Sequence, residues 1–153
     1  MFNLVLVEPE IPPNTGNVGR LALATGSTLH LVKPLGFSID DRQLRRAGMD
    51  YWKNVDVKLW ENFEEFELNT EPSSGRRFFF STKAKAPYWQ IQFLSQDYLI
   101  FGRETKGLPE SLLARHVDTA FCIPMRPEAR SLNLATAVAI VVFEGIRQLS
   151  TNE

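Results

Sequence analysis

The sequence of 153 residues lacks the features that mark secreted, membrane-spanning and disulfide-stabilised proteins. Its single cysteine, Cys122, cannot form an internal disulfide, and we expect it to be a buried, unreactive thiol in a strand. The N-terminal residues lack the basic start and small-residue cleavage site of a signal peptide. The nearest candidate for a membrane span, Leu132–Phe143, is shorter than the roughly 20 apolar residues that a bilayer requires. These absences predict a cytoplasmic protein with no membrane segment.

The sequence also has no excess of charge of either sign. Seventeen basic and eighteen acidic residues give a net charge of −1, so any binding of nucleic acid must rest on local basic patches. Hydrophobic residues make up 44% and charged residues 23%, which excludes disordered and fibrous proteins. The length favours one domain that covers residues 1–153.

Short apolar segments alternate with segments of helical character along the chain. The predicted strands are Phe2–Val7, Thr28–Val32, Val55–Trp60, Phe78–Thr82, Tyr98–Phe101 and Ala120–Ile123. The predicted helices are Asn17–Thr25, Asp40–Ala47, Asn62–Leu68, Glu110–Arg115 and Ser131–Leu149. Alternation of this kind favours parallel strands, and strands that are apolar throughout are typical of a sheet covered on both faces. We therefore predict an α/β fold, one open parallel sheet of about six strands with helices on both faces.

The closing helix is apolar around most of its circumference. Its apolar positions do not form one stripe: Leu132, Leu134, Val138, Ile140, Val141, Val142, Phe143 and Ile146. Such a helix is buried on several sides. The pattern leaves two possibilities open, a C-terminus tucked deep into the fold or a helix buried against a second subunit.

Several well-known motifs are nearly matched and then fail. Gly102 and Gly107 have the glycine spacing of a phosphate-binding P-loop, but Leu108 and Pro109 replace its lysine and its serine or threonine. The glycine fingerprint of dinucleotide-binding folds is also absent. His30 and His116 are isolated, so no metal site is predicted. Ser131 is not in the strained turn that exposes a catalytic serine in hydrolases.

Three polar segments that follow predicted strands remain as candidates for a site. They are Pro12–Arg20, Phe101–Pro109 and Ile123–Asn133. We expect Asn14, Thr15 and Asn17 to cap the first helix, and the glycines of the second segment to let its backbone approach a ligand. Parallel strands end at a common sheet edge, where ligands bind. The alternative is three capped turns with no ligand, but three segments of this composition at one edge favour a site.

The three segments, in this order, resemble the motifs of the SPOUT RNA methyltransferases over nearly the whole chain. The opening Glu8–Asn17 and the later Arg42, Arg45, Arg46, Ala47, Gly48, Asp50 and Tyr51 are similar to the small branch of tRNA (cytidine(34)-2′-O)-methyltransferases. The resemblance implies a parallel sheet whose C-terminal helix passes through a loop to form a deep trefoil knot, and a homodimer in which that helix meets its partner.

The resemblance also implies a cofactor and a reaction. The cofactor is S-adenosylmethionine, converted to S-adenosylhomocysteine, and its expected binding residues are Phe80, Gly102, Ile123, Ser131 and Leu132, largely through their backbones. The methyl group goes to the ribose 2′-hydroxyl of cytidine 34 in leucine tRNAs, and whether a modified uridine 34 is accepted stays open. No metal is implied.

The resemblance assigns help with deprotonation of the hydroxyl to Arg20. Arginine does not normally release a proton, so Arg20 either does so when desolvated beside the cofactor or holds an RNA phosphate that accepts the proton. Asn14, Glu104, Ser131 and Asn133 are expected to orient the ribose and hold Arg20. Glu104 could equally be a structural partner of Arg20.

Basic residues near the predicted site are candidates for binding the tRNA anticodon stem-loop. Arg42, Arg45 and Arg46 share one helical face, and Arg130 precedes the closing helix. Trp52, Tyr88 and Trp89 could stack on bases or pack in the core. Two other functions stay open: methylation of a different tRNA or rRNA ribose by the same fold, and a non-catalytic RNA-binding module.

Overall fold

The computed structural model describes residues 1–40, 42 and 49–151. Its strands are β1 (Asn3–Val7), β2 (Thr28–Val32), β3 (Val57–Trp60), β4 (Arg77–Phe80), β5 (Tyr98–Phe101) and β6 (Ala120–Phe121). Its α-helices are α1 (Pro12–Thr25), α2 (Phe63–Asn69), α3 (Glu110–Arg115) and α4 (Leu134–Ser150). Short 3₁₀ helices lie at Met49–Asn54, Pro72–Ser74, Tyr88–Gln90, Val117–Thr119 and Pro127–Ala129.

The six strands form one sheet in which every neighbouring pair is parallel. The strand order is β3-β2-β1-β5-β4-β6, which confirms the predicted parallel α/β sheet. β1 and β5 are central neighbours, with Val5 opposite Ile100. The segments that follow these two strands therefore meet at the carboxyl edge of the sheet, although about 95 residues separate them in sequence.

Both faces of the sheet are buried, as the apolar strands predicted. Leu4 and Leu6 point to a core that includes residues of α1 and α4, whereas Val5 and Val7 point to a second core that includes residues of α2 and α3. Because side chains alternate along a strand, an apolar residue at every position is what two buried faces require.

Helix α1 begins at Pro12, five residues before the predicted start at Asn17. Proline is favoured in the first turn of a helix because its fixed φ suits the helix and its missing N–H is not needed there. The expectation that Asn14, Thr15 and Asn17 cap this helix is wrong, since all three lie inside it and Ile11 occupies the cap position without a side-chain hydrogen bond.

Other boundaries differ by a few residues. Helix α4 begins at Leu134 and not at Ser131, because the Asn133 side chain caps it by accepting a hydrogen bond from the Thr136 N–H at 3.2 Å. Strand β3 begins at Val57, β4 ends at Phe80, and β6 ends at Phe121. Most of the predicted helix Asp40–Ala47 lies outside the described residues.

Helix α4 is buried on one side only within this chain. Val138, Val141 and Val142 are fully buried, and Gly145 faces the Phe2 ring so closely that a Cβ atom would lie 2.6 Å from it. On another side Phe143 is 54% exposed. Packing within this chain therefore buries part of the apolar surface of α4, and the rest is available for another contact. No helix in the described ranges has the length and hydropathy of a membrane span.

Candidate functional site: a cavity at the carboxyl edge of the sheet

A cavity of about 420 Å³ lies at the carboxyl edge of the sheet, between the segments that follow β4, β5 and β6. All five residues predicted to bind the cofactor line it: Phe80, Gly102, Ile123, Ser131 and Leu132. Glu104 and Arg130 also line it, as do Lys83, one of the basic residues expected near the site, and Met125, which lies in the third candidate segment. Thr82 and Ala137 line it too, and no sequence pattern indicates a role for them. The volume lies within the range of small-molecule sites.

Apolar side chains and backbone form much of the cavity wall. The rings of Phe80 and Phe101 stack with centroids 4.8 Å apart and planes 14° from parallel. Ile123 and Leu132 add apolar surface, and the backbone of Gly102 is exposed to the cavity along its loop. Such a wall suits an aromatic heterocycle, held by van der Waals contact and by backbone hydrogen bonds.

Glycine at position 102 is required by the packing of the chain itself. A Cβ on Gly102 would lie 2.2 Å from the carbonyl carbon of Gly107 and from the Leu108 nitrogen, so the close approach is to the chain's own backbone, and the approach to a ligand stays a prediction. Arg103 and Gly107 exchange two backbone hydrogen bonds of 3.2 and 2.9 Å that close this loop. Gly107 has a φ of +67° with open space around it, so glycine there serves the turn.

Substitution of the two glycines is predicted to have unequal effects. Gly102→Ala forces the loop open, because a methyl group collides with backbone, and we expect at least a tenfold loss of affinity for S-adenosylmethionine, the cofactor that the sequence resemblance implies. Gly107→Ala meets open space and costs only its positive φ, about 1 kcal/mol of folding free energy. Isothermal titration calorimetry measures the affinity of each variant for the cofactor. Equal affinities of the two variants would contradict this account of the loop.

Glu104 binds the N-terminus of α1. Its carboxylate accepts hydrogen bonds from the N–H groups of Glu10 at 2.8 Å and Ile11 at 3.1 Å, and it lies 3.5 Å from the Asn14 amide nitrogen. Both N–H groups precede Pro12, the first residue of α1, and a carboxylate beside a helix N-terminus is favoured by charge as well. Glu104 thus fixes the residues that lead into α1.

Glu10 makes the reciprocal contact, with the loop that contains Glu104. We call these two contacts, Glu104 with the N–H groups of Glu10 and Ile11 and Glu10 with Thr105, the clasp. Its carboxylate accepts hydrogen bonds from the Thr105 hydroxyl at 2.7 Å and the Thr105 N–H at 3.1 Å. The hydrogen bond from the Thr105 hydroxyl is the main reason that the pKa of Glu10 lies below its ordinary value, so the Glu10 carboxylate stays ionised. Arg103, in the same loop as Glu104, forms an ion pair with Glu8 at 3.6 Å. The sequence missed this clasp because only the pairing of β1 with β5 brings its halves together.

Asn14 connects the clasp to α4. Its side-chain oxygen accepts a hydrogen bond of 2.9 Å from the Asn133 amide, and Asn133 in turn caps α4. Asn14 is buried although it is polar. Glu104, Asn14 and Asn133 therefore form one chain of contacts that fixes the starts of α1 and α4 beside the cavity.

Arg130 lies in a strained turn at the mouth of the cavity. Its φ of 61° and ψ of −54° place it at the centre of a γ-turn, which the Ser131 N–H closes by donating to the Ala129 carbonyl at 2.7 Å. Arg130 also lines a smaller neighbouring cavity of about 260 Å³ that includes Arg126 and Cys122. Strained residues of this kind cluster at functional sites. The turn holds an exposed cation between the two cavities.

Arg20 is not among the residues that line the main cavity. It lies on an exposed part of α1, and its guanidinium sits 5.2 Å from the centroid of the Tyr51 ring. Among the basic residues predicted to bind RNA, Arg42 is exposed, whereas Arg45 and Arg46 lie outside the described residues. Trp89 is 55% exposed, and Trp52 and Tyr88 pack partly against the core.

The two histidines take no part in the cavity. Cys122 is half-buried and not fully buried as expected. Within residues 1–40, 42 and 49–151 no three His, Cys, Asp or Glu side chains come close enough to hold a metal ion.

Known proteins resemble this chain along nearly its whole length. The model of the SpoU rRNA methylase family matches residues 1–143. The tRNA (cytidine(34)-2′-O)-methyltransferase of Burkholderia cenocepacia is 48% identical over 97% of this chain and 96% of that protein, and the one from Aeromonas hydrophila is 47% identical over 97% and 95%.

Solved structures share the fold closely. One solved for work on 2-OH methylation of C/U34 on tRNA has a TM-score of 0.93 and 47% identity, and covers 99% of this chain and 97% of its own. The rRNA methyltransferase of Sinorhizobium meliloti with bound AdoMet has a TM-score of 0.86 and 27% identity, over 97% of this chain and 56% of that one. The sheet, the cavity at its carboxyl edge and these matches together show that the chain belongs to the SpoU methylase family.

Proposed function

We propose that this protein transfers a methyl group from S-adenosylmethionine to the ribose 2′-hydroxyl of nucleotide 34 in tRNA. The observation that carries the proposal is that Phe80, Gly102, Ile123, Ser131 and Leu132 line one cavity. The relatives named for this reaction on cytidine 34 match nearly full length, which supports the choice of substrate. Cytidine 34 of leucine tRNAs is the expected target, with a modified uridine 34 as a second substrate to be tested.

The residues of the cavity fit S-adenosylmethionine. The aliphatic and aromatic wall suits its adenine, and the loop around Gly102 offers backbone donors and acceptors for its polar edges. When bound there, this cofactor supplies an electrophilic methyl group on a sulfonium. No metal is needed, because the positive sulfur already makes its departing thioether a good leaving group.

The chain's own residues have to place the hydroxyl and remove its proton. In the reaction a C–O bond forms as the C–S bond breaks, and the hydroxyl proton must leave. Ser131 lies on the cavity wall, and we propose that it holds the ribose. Asn14, Glu104 and Asn133 bind one another, and we assign them the role of fixing the site rather than of contacting the substrate.

Arg20 is proposed to hold an RNA phosphate that accepts the proton. An exposed guanidinium matches a phosphate with two parallel hydrogen bonds and keeps its own proton. We choose this alternative over deprotonation of Arg20 because an arginine does not normally release its proton. Within its own chain Arg20 does not line the cavity.

We propose that the protein is a homodimer, which would explain why Arg20 lies outside the cavity of its own chain. Helices α1 and α4 pack side by side, and α4 leaves Phe143 exposed and Ile140 half-buried. A second copy on this face would cover the apolar surface. We propose that it also carries the Arg20 of one protomer to the cavity of the other, and that the pair of subunits presents one basic surface for the anticodon stem-loop, to which Arg42, Arg45, Arg46 and Arg130 contribute.

Phe143→Glu is predicted to convert the dimer to a monomer. A buried, unpaired carboxylate is costly, so the interface should fail while the exposed position leaves the monomer's fold intact. Size-exclusion chromatography with light scattering measures the mass. Leu68→Glu is the matched control, since Leu68 is 84% exposed on α2, on the opposite face of the sheet, and should leave the dimer unchanged. A dimeric Phe143→Glu variant would place the interface elsewhere.

The experiment that tests the reaction is nucleoside mass spectrometry of bulk tRNA incubated with purified protein and labelled S-adenosylmethionine. We expect label in 2′-O-methylcytidine or in a 2′-O-methylated wobble uridine, and none with Arg20→Ala. Label in another 2′-O-methylated nucleoside would retain the chemistry and overturn the substrate. Absence of both label and cofactor binding would instead favour an RNA-binding module. Since the substrate is tRNA, the proposed location is the cytoplasm.

A further inference from the structure

The 3₁₀ helix Met49–Asn54 docks on α1 through two consecutive pairs of residues. In the first pair, Trp52 covers Gly19: a Cβ on Gly19 would lie 2.6 Å from Cζ3 of the indole. Glycine at this position therefore leaves the space that the indole occupies. Because Trp52 also packs against the main core, the 3₁₀ helix is anchored at a fixed place on α1.

The second pair lies beside the first and is exposed. Tyr51 precedes Trp52, Arg20 follows Gly19, and the Arg20 guanidinium carbon lies 5.2 Å from the centroid of the Tyr51 ring. Tyr51 remains 43% exposed, so its ring does not fill the core. The docking of Trp52 therefore places the ring of Tyr51 beside Arg20 at the surface.

An aromatic face attracts a cation through its quadrupole, and packing against it narrows the range of rotamers that a long side chain adopts. Both effects favour a charged guanidinium that is held in one orientation. They suit a residue that must meet a phosphate with its planar fork, and they do not suit a residue that must lose its proton.

We propose that Tyr51 is a positioning residue for Arg20, acting through its ring. The proposal rests on the proposed function, because it requires Arg20 to serve methyl transfer. Tyr51 itself need not touch the RNA or the cofactor. Its effect should appear in the rate of transfer and not in the binding of either substrate, since the orientation of Arg20 matters most when the hydroxyl proton leaves.

The test compares Tyr51→Leu and Tyr51→Gln, which lack a ring, with Tyr51→Phe, which keeps one. We expect both non-aromatic variants to lower kcat by about 2- to 5-fold, the effect of losing a cation–π contact at an exposed site. KM for tRNA, the Kd of S-adenosylmethionine and the melting temperature should stay unchanged, and Tyr51→Phe should retain kcat. Two variants without a ring keep the test valid if one of them folds poorly.

Other outcomes would overturn the proposal. A raised KM for tRNA with unchanged kcat would make Tyr51 a platform for an RNA base. An equal loss in Tyr51→Phe would assign the effect to the hydroxyl, and wild-type kcat in both non-aromatic variants would leave the ring without a role.

A double-mutant comparison separates this proposal from the proposed function. In single-turnover assays of Arg20→Ala, adding Tyr51→Leu should cost nothing further, because the ring acts only through Arg20. If the second change costs as much as it does in the wild type, the positioning role is wrong although Arg20 still matters. If Arg20→Ala alone keeps full activity, it is the proposed role of Arg20 that fails.

Discussion

Arg20→Ala is expected to lower the rate of methyl transfer by about 10²- to 10⁴-fold, the usual contribution of a group that assists proton transfer. Binding of S-adenosylmethionine should change little, because the proposed contact of Arg20 is with an RNA phosphate and not with the cofactor. Arg20→Lys should recover little, since an ammonium cannot reproduce the two parallel hydrogen bonds of a guanidinium to a phosphate. Single-turnover kinetics with saturating cofactor measure the loss. A fully active Arg20→Lys enzyme would contradict the role of Arg20 at a phosphate.

Mixed dimers show whether Arg20 acts across the subunit interface. Chains with Arg20→Ala keep their cofactor loop, and chains with Gly102→Ala keep Arg20. At a cofactor concentration below the wild-type Kd, the first homodimer should be inactive and the second should have at most about a tenth of the wild-type activity. When the two are co-expressed, each mixed dimer holds one site with an intact loop from one chain and an intact Arg20 from the other. Activity should return to about a quarter of wild type if the chains assort at random. Activity no higher than that of either parent would place Arg20 at the cavity of its own chain.

The strands and the layering of the fold could be read from the sequence because each depends on a local pattern. A strand such as Leu99–Phe101 is apolar at every position, and only a sheet with two covered faces accommodates that. The start of α1 could not be read so well, because Pro12 and Pro13 indicate a loop as readily as a first helical turn. The trefoil knot stays a prediction of the resemblance.

The site could be predicted only in part, for a related reason. The residues expected to bind the cofactor lie at or after strand ends, and the resemblance indicates them from the sequence alone. The clasp between Glu10 and Thr105 depends on the order of the strands, which no local pattern specifies. The place of Arg20 depends on Gly19 and Trp52, a contact between distant segments, and in our proposal also on a second chain.

A buried histidine far from the cavity leads to the other large expected effect. His30 is 1% exposed, and its ring is surrounded by the rings of Trp60, Phe66 and Tyr98. Nδ1 accepts a hydrogen bond of 3.0 Å from the Trp60 indole N–H, so Nε2 carries the proton and donates to the Asn3 side-chain oxygen at 3.0 Å. The neutral ring is thus fully satisfied, and a second proton would have to displace the Trp60 bond.

Burial lowers the pKa of His30 to about 4, from 6.5. Between these two values the unfolded chain binds a proton that the folded chain does not, so the free energy of unfolding falls as the pH falls. The contribution is fully present above about pH 6.5 and is lost progressively toward pH 4. A difference of this size corresponds to about 3 kcal/mol, a large share of the stability of an ordinary domain.

Urea unfolding at several pH values between 7.5 and 4 measures this contribution. We expect His30→Gln to be less stable than the wild type at pH 7.5, because it disturbs the bonds to Trp60 and Asn3, but to lose about 3 kcal/mol less on acidification. His116→Gln is the matched control: burial also lowers the pKa of His116, but that ring is partly exposed and Glu67 opposes the shift. Its acid sensitivity should therefore stay close to that of the wild type. Parallel pH dependences for the wild type and His30→Gln would mean that the buried ring gains its proton without cost, which its complete set of hydrogen bonds argues against.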